Sequence, residues 1–203
     1  MQYAFDFLQP LPRRPRKPER LVYMLMPDAG TAKRVDRFGR RFVADNRLPG
    51  KLLLTERFHV SIQHVGDFRR LRSAHVYAAL QAGEVVSMLP FELTFRSVAS
   101  FAGAPARGGA PPKRPLVLLG EGEGLTELHA LLGAAMRRNG LRAAERFVPH
   151  MTLLYGPQAV PAQPIEPIRF LADALLLVHS ERGLTRYNVL GRWPFGPQHA
   201  AAG

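Results

Sequence analysis

Hydrophobic residues in the first half of the chain recur with two different periods. Short apolar runs, or alternation at every second residue, predict strands at residues 21–26, 59–65 and 91–95, the last extending towards 101. Apolar residues at three- and four-residue spacing predict helices at about residues 31–46 and 68–88. Thr31 and Asp67 are expected to cap these helices, and Pro90 permits only a new element after the second.

The second half of the chain repeats this order of elements. After a Gly- and Pro-rich loop at residues 102–115, a strand and a helix are predicted at 116–119 and about 125–139. Further strands are predicted within residues 146–153, near 170–179 and at 185–193. Because strand, helix and strand occur twice, the sequence predicts one bilobal α+β domain over residues 20–195, with lobe halves at about 20–101 and 116–195 and a central cleft.

Composition limits the classes of protein to consider. With 203 residues, 46% of them hydrophobic, the chain has enough apolar surface for a substantial core. No apolar run approaches the ~20 residues of a membrane span, and Asp6, Pro10 and Pro12 interrupt the start where a signal peptide needs an apolar stretch. We therefore expect a cytoplasmic protein. The absence of cysteine excludes disulfides, thiolate nucleophiles and cysteine-ligated metals.

The chain is strongly basic. Lys and Arg number 28 against 16 Asp and Glu, so the surface field should attract polyanions. The alternative is that the positive charge only reflects an Arg-, Ala- and Gly-rich composition and has no functional meaning. Residues 1–19 are predicted to form a flexible basic Pro/Arg arm, and residues 196–203 a disordered tail.

Two short segments carry the chemistry that the sequence suggests. His59 is followed two residues later by Ser61, and His150 by Thr152, each pair in a strand pattern. In a strand, residues two apart lie on the same face, so two neighbouring strands would bring two imidazoles and two hydroxyls together. One imidazole can take a proton from an attacking group and the other can give one to a leaving oxygen, while the hydroxyls donate to non-bridging phosphate oxygens. This chemistry needs no metal.

The paired motifs, each preceded by Arg and Phe, resemble those of the two-histidine (2H) phosphoesterase superfamily. Within it, the chain is most similar to bacterial RNA 2',3'-cyclic phosphodiesterases, also called 2'-5' RNA ligases, over roughly residues 20–193. Pro149 and Leu153 flank the second motif as they often do in that family. Ser61 stands where the family more often has Thr, which keeps the hydroxyl.

The resemblance implies a fold, an activity and a set of site residues. The fold is a pair of mainly antiparallel sheet lobes with outer helices around a cleft, and the activity is metal-independent opening of a 2',3'-cyclic phosphate to a 2'-phosphate, with reversible 2'-5' ligation as a side reaction. His59 and His150 would be catalytic, Ser61 and Thr152 would bind phosphate, and no cofactor is expected. The resemblance makes His150 the base for water and His59 the acid, but the near symmetry of the site leaves these roles exchangeable.

Other residues are weaker candidates for the site. Arg57 shares the His59 face, and Tyr155 and Phe101 offer rings for stacking on a base, as do Trp193 and Tyr23. Each of these residues also suits an ordinary core or surface position. Strict alternation predicts that Gln63 reaches the cleft rim and that His64 lies on the opposite face.

Alternatives of other classes are less well supported. A metal hydrolase lacks the expected His-x-His or His-Glu-x-x-His spacing, and a serine hydrolase lacks a Gly-x-Ser-x-Gly elbow. The main alternative is a non-catalytic RNA- or nucleotide-binding protein of the same fold, although all four motif residues are intact. The expected partner is an RNA end or a small cyclic nucleotide; no membrane and no obligate protein partner are inferred.

Overall fold

A computed structural model describes residues 15–103 and 111–196. Within these ranges the strands are β1 Glu19–Leu25, β2 Val60–Phe68, β3 Phe91–Ser100, β4 Arg114–Glu121, β5 His150–Gly156, β6 Gln163–Ala172, β7 Ala174–Glu181 and β8 Arg186–Pro194. The helices are α1 Ala29–Asp45, α2 Ser73–Glu84 and α3 Glu123–Arg138, with a 3₁₀ turn at Thr55–Arg57. The α+β fold predicted from the sequence is confirmed.

The strands form one antiparallel sheet in the order β6-β3-β4-β5-β2-β1-β7-β8. Its two four-stranded halves meet at β2 and β5, which share a single residue pair, Val60 with Met151. The two motif strands are therefore the central strands, and each is paired on its other side along most of its length.

The internal repeat is present, but the two half-sheets do not follow the two halves of the chain. The units β1-α1-β2 and β4-α3-β5 each join two antiparallel neighbours through a helix. However, β3 pairs with β4 and β6, whereas β7 and β8 continue the sheet from β1. The expected lobe halves at 20–101 and 116–195 are therefore wrong, because β3 pairs with the strand that follows it, as consecutive strands usually do.

The two faces of the sheet differ in their covering. Alternate residues of β1, Leu21, Tyr23 and Leu25, are buried in the main core together with apolar residues from all three helices. Val22 and Met24, which point the other way, join Val178 in a small separate cluster with Tyr187 against it. One face is thus covered by helices, and we call the other the open face.

The start of α1 differs from the prediction. Asp28, not Thr31, is the N-cap, because its Oδ1 accepts hydrogen bonds from the backbone N–H groups of Gly30 at 2.8 Å and Thr31 at 3.0 Å. Thr31 lies in the first turn and is buried. A carboxylate that satisfies two unpaired N–H groups is a strong cap, and it explains the earlier start of the helix.

The predicted helix at 68–88 is shorter, and Asp67 does not cap it. β2 continues to Phe68, and Asp67 lies opposite Arg20 on β1. Arg20 donates to both Asp67 carboxylate oxygens, from Nε at 2.7 Å and from Nη2 at 2.9 Å. The Arg20 guanidinium holds the pKa of Asp67 well below its ordinary value. Strand pairing and this ion pair therefore replace the predicted cap.

The single strand predicted near 170–179 is two strands in different half-sheets. β6 ends at Ala172 and pairs with β3, while β7 begins at Ala174 and pairs with β1. The apolar residues on both sides of Asp173 conceal the crossing there, since both strands bury side chains.

Several predictions fall on residues that the structure does not describe. Residues 1–14 of the predicted arm, 104–110 of the predicted loop and 197–203 of the predicted tail lie outside the described residues. In the part of the chain that is described, no helix is long and apolar enough to cross a membrane.

Candidate functional site

The two motifs meet on the open face, at the junction of the half-sheets. Val60 and Met151 are completely buried in the core and pair with each other. By alternation, the residues that flank them point to the open face: His59 and Ser61 on one chain segment, His150 and Thr152 on the other. Antiparallel register places His59 beside Thr152 and Ser61 beside His150, all four half-buried. Directly opposed Cβ atoms in such pairs are about 5 Å apart.

A β-bulge follows the hydroxyl residue in both motifs. In β2, Ser61 pairs with Met24 and Gln63 with Tyr23, so Ile62 is the extra residue. In β5, Thr152 and Leu154 pair with consecutive residues of β4, so Leu153 is the extra one. In each bulge two successive side chains are buried, and the residue five places after the histidine is exposed. These residues are His64 and Tyr155.

The bulge reverses the predictions for Gln63 and His64. Gln63 is only 1% exposed, and its Nε2 lies 2.9 Å from His129 Nε2 on α3. Its Oε1 accepts a bond of 2.9 Å from Ala144 N–H, and its Nε2 donates to the Ala144 carbonyl at 3.2 Å. Gln63 therefore ties β2 to α3 and to the segment that leads to His150. His64 is exposed on the Ser61 side, opposite Val22.

Both motif histidines are held by the same local contact. His59 Nδ1 lies 2.7 Å from the Arg57 carbonyl, and His150 Nδ1 lies 2.8 Å from the Val148 carbonyl. Because a carbonyl oxygen only accepts, Nδ1 carries the proton and donates it. In the neutral ring the lone pair then lies on Nε2, the atom suited to exchange protons with a ligand.

Cations and an aromatic ring surround His59. The Arg57 guanidinium carbon lies 3.8 Å from the centre of the Tyr187 ring, and the Tyr187 hydroxyl lies 3.5 Å from His59 Nδ1. Arg57 Nη1 is buried without a hydrogen-bond partner among the described residues. Desolvation, with Coulombic repulsion from Arg57, His150 and Arg20, lowers the pKa of His59 to about 4 despite the hydrogen bond to the Arg57 carbonyl.

His150 has a different setting. It is half-buried, and the ring of Phe101 meets it edge-on with centroids 4.9 Å apart. Tyr155 follows on the same strand and is 53% exposed. The structure therefore places Phe101 and Arg57 beside the motif histidines, and Tyr155 further along β5.

The other aromatic candidates are core residues. Tyr23 is fully buried and donates its hydroxyl to the Ala79 carbonyl, and Trp193 packs against it at a centroid distance of 6.2 Å. Sequence reasoning missed Tyr187 and Arg20. Both lie on strands whose neighbours in the sheet come from distant parts of the sequence, so only the strand order brings them to the site. In residues 15–103 and 111–196, no cluster of three or more His, Cys, Asp or Glu residues is arranged to hold a metal.

Replacing Gln63 should weaken the link between the two motif strands. In Gln63→Leu, the N–H of Ala144 loses its acceptor and the buried His129 loses a hydrogen-bond partner, so we expect a loss of about 1–3 kcal/mol in the free energy of unfolding. Urea unfolding of the variant measures this loss. Gln81→Leu, at an exposed position of α2, is the matched control. Equal stability of the two variants would show that the Gln63 bonds contribute nothing.

Comparisons with known proteins give the family. A sequence model of the 2'-5' RNA ligase superfamily matches residues 72–184, more than half of the 203-residue chain, including the second motif. No curated protein matches the sequence.

Solved structures share the fold at low sequence identity. Apo LigT from E. coli is 22% identical, with 89% of this chain and 99% of that chain covered and a TM-score of 0.62. TT0787 from Thermus thermophilus is 21% identical, with 89% and 100% covered and a TM-score of 0.64. Likeness at this identity shows the fold alone, and the family match adds the relationship. The chain therefore belongs to the 2'-5' RNA ligase superfamily, as the resemblance of its two motifs predicts.

Proposed function

We propose that this protein is a metal-independent phosphodiesterase that opens a 2',3'-cyclic phosphate, at an RNA end or on a nucleotide, to a 2'-phosphate. The observation that carries the proposal is the junction of β2 and β5, where two imidazoles with the same Nδ1 contact and two hydroxyls share the open face. The groups gathered there are proton carriers and hydrogen-bond donors, which suit acid–base chemistry at a phosphate.

The proposed reaction is one displacement at phosphorus. Water attacks the phosphorus atom, a neutral histidine takes the proton that water loses, and the P–O3' bond breaks. The second histidine, charged at the start, gives its proton to O3', so the sugar leaves with a 3'-hydroxyl and a 2'-phosphate. Ser61 and Thr152 donate to the non-bridging oxygens, on which negative charge builds in the transition state. A 5'-hydroxyl in place of water gives a 2'-5' bond by the same step, which accounts for the proposed ligation.

The surroundings of His59 favour it as the base. Its charged form is destabilised by burial and by the nearby guanidinium of Arg57, so it stays neutral at neutral pH. Since one histidine must begin the reaction protonated, we assign that role to His150. This assignment reverses the one that the resemblance implies.

Nucleotide binding by related folds supports the substrate class. LigT from E. coli has been solved in complex with ATP and with 3'-AMP, at 20% and 22% identity to this chain. In this chain, the rings of Phe101 and Tyr187 lie beside the two histidines and offer surfaces for a nucleoside.

Removal of either histidine should nearly abolish turnover. His59→Ala and His150→Ala should each lower kcat for a 2',3'-cyclic nucleotide by ~10²–10⁴, the usual contribution of one general acid or base, with a chelator present throughout. The double variant should lose little more, since the two groups act as a unit. His179→Ala is the matched control. Because Val178 points to the open face, the next residue, His179, points to the covered face, where it bonds Glu19. Near-wild-type turnover in either single variant, or a strict need for added metal, would refute the mechanism.

The hydroxyls should act through a charged acceptor. Ser61→Ala and Thr152→Ala should each raise the activation free energy by more than the ~1 kcal/mol of a neutral hydrogen bond. Ser61→Thr should be nearly silent, because it keeps the donor on a side chain suited to strands. Steady-state kinetics of correctly folded variants measure both effects. Full activity in both Ala variants would assign the hydroxyls a structural role.

The pH dependence should report the environment of His59. As the base must be neutral, kcat/KM should fall on the acid side only as the pH approaches about 4, well below the ~6.5 of an unperturbed imidazole. Arg57→Gln removes a repelling charge and should move this fall, the acid limb of the pH profile, to higher pH. A limb near 6.5 that Arg57→Gln does not move would contradict the assignment of His59 as base.

A further inference from the structure

The open face continues from the motif towards the far end of β2. Ser61 lies opposite Met24, His64 opposite Val22 and Asp67 opposite Arg20, so three successive rows lead away from the histidines. These rows span four residues of β1, or about 13 Å at 3.3 Å per residue. His64 is exposed in the middle row, where its Nε2 donates to Asp67 Oδ1 at 3.0 Å.

A basic cavity lies at the end of these rows. It has a volume of about 950 Å³, and Asp67 forms part of its wall. The cations that line it are Lys17, Arg69, Arg70 and Arg72, all of them exposed. We call this cavity the basic pocket. Within residues 15–103 and 111–196, the three arginine side chains have no ion pair or hydrogen bond.

The single acid of the lining does not neutralise these cations. Asp67 already receives bonds from Arg20 and from Arg182 Nη1, the latter at 2.9 Å. The pocket therefore keeps an excess of positive charge and suits an anion with several phosphates better than one with a single phosphate.

Two rings form another part of the pocket wall. The rings of Phe68 and His75 are 4.6 Å apart, and both residues line the cavity. His75 Nδ1 is buried and has no partner among the described residues. Aromatic and imidazole rings beside a cationic groove are the features that bind single-stranded nucleic acid without reading its sequence.

We infer that the basic pocket binds the phosphodiester backbone of an RNA strand whose cyclic-phosphate end lies between His59 and His150. The inference rests on the proposed function and names its substrate class as an oligonucleotide end, not a free cyclic nucleotide. The 13 Å of open face holds at most about four nucleotides, the number that corresponds to the 3.4 Å spacing of a fully stacked strand in a duplex. His64 lies along this path.

A membrane surface fits these observations less well. Membrane-bound basic patches combine their charge with exposed apolar anchors on a protruding surface. Here the cations line a cavity at the end of the sheet, and Asp67 connects that cavity with the rows that lead from the motifs.

The test compares substrates of two lengths in wild-type protein and a triple variant. The substrates are a 2',3'-cyclic mononucleotide and an oligoribonucleotide of roughly ten nucleotides with the same cyclic end, long enough to span the path. In Arg69→Gln/Arg70→Gln/Arg72→Gln, KM for the oligonucleotide should rise by about tenfold relative to KM for the mononucleotide. The slope of log Kd against log salt for the oligonucleotide should fall by about 2, since each lost phosphate contact contributes ~0.7.

Lys33→Gln/Arg37→Gln/Arg41→Gln is the matched control. It removes the same charge from exposed positions of α1, a helix on the covered face, and should behave as wild type. The inference is overturned if wild-type protein has equal KM for the two substrates, or if KM for the oligonucleotide rises as much in the control as in the pocket variant. It is also overturned if the pocket variant loses binding to anionic vesicles but not to the oligonucleotide.

Failure of the proposed function would be visible separately. Absence of turnover of both the mononucleotide and the oligonucleotide by wild-type protein would refute the proposed reaction alone. Equilibrium binding of an uncleavable oligonucleotide with a 3'-phosphate would then still decide the pocket, by the same comparison of variants.

Discussion

The site depends on one contact, the antiparallel pair that Val60 and Met151 form at the centre of the sheet. Because both side chains are fully buried, the motif residues on either side of them must point away from the core. The bulges that follow then return Ile62 and Leu153 to the core, so each half-sheet keeps its apolar layer while its motif stays at the junction. A slip of one residue at this pair would move one histidine to the covered face.

The symmetry of the backbone does not extend to the charges. Each imidazole bonds a carbonyl two residues earlier, but His59 also has the stacked pair of Arg57 and Tyr187 beside it, while His150 has Phe101. A site with two equivalent histidines would let either act as the base. In the proposed mechanism, the guanidinium beside His59 favours one direction of proton transfer, and this difference comes from side chains outside the two motifs.

Sequence patterns predicted most of the strands, the repeat and the shared face of the four motif residues, because these depend on local periodicity and spacing. They did not predict the positions of Gln63 and His64, because an added residue in a bulge reverses parity beyond it. Asp67 is a residue type typical of a helix N-cap, but strand pairing with Arg20 decides its position. The place of Tyr187 depends on β7 and β8 joining β1, which is a property of the whole sheet.

The central claim is that both histidines bind one phosphate. The most direct measurement is an NMR titration of isotope-labelled histidines with adenosine 2'-phosphate, the nucleotide product of the proposed reaction. Because the two motifs share one junction, the imidazole resonances of His59 and His150 should shift together with one common Kd. A response from only one imidazole, or two different Kd values, would contradict the account.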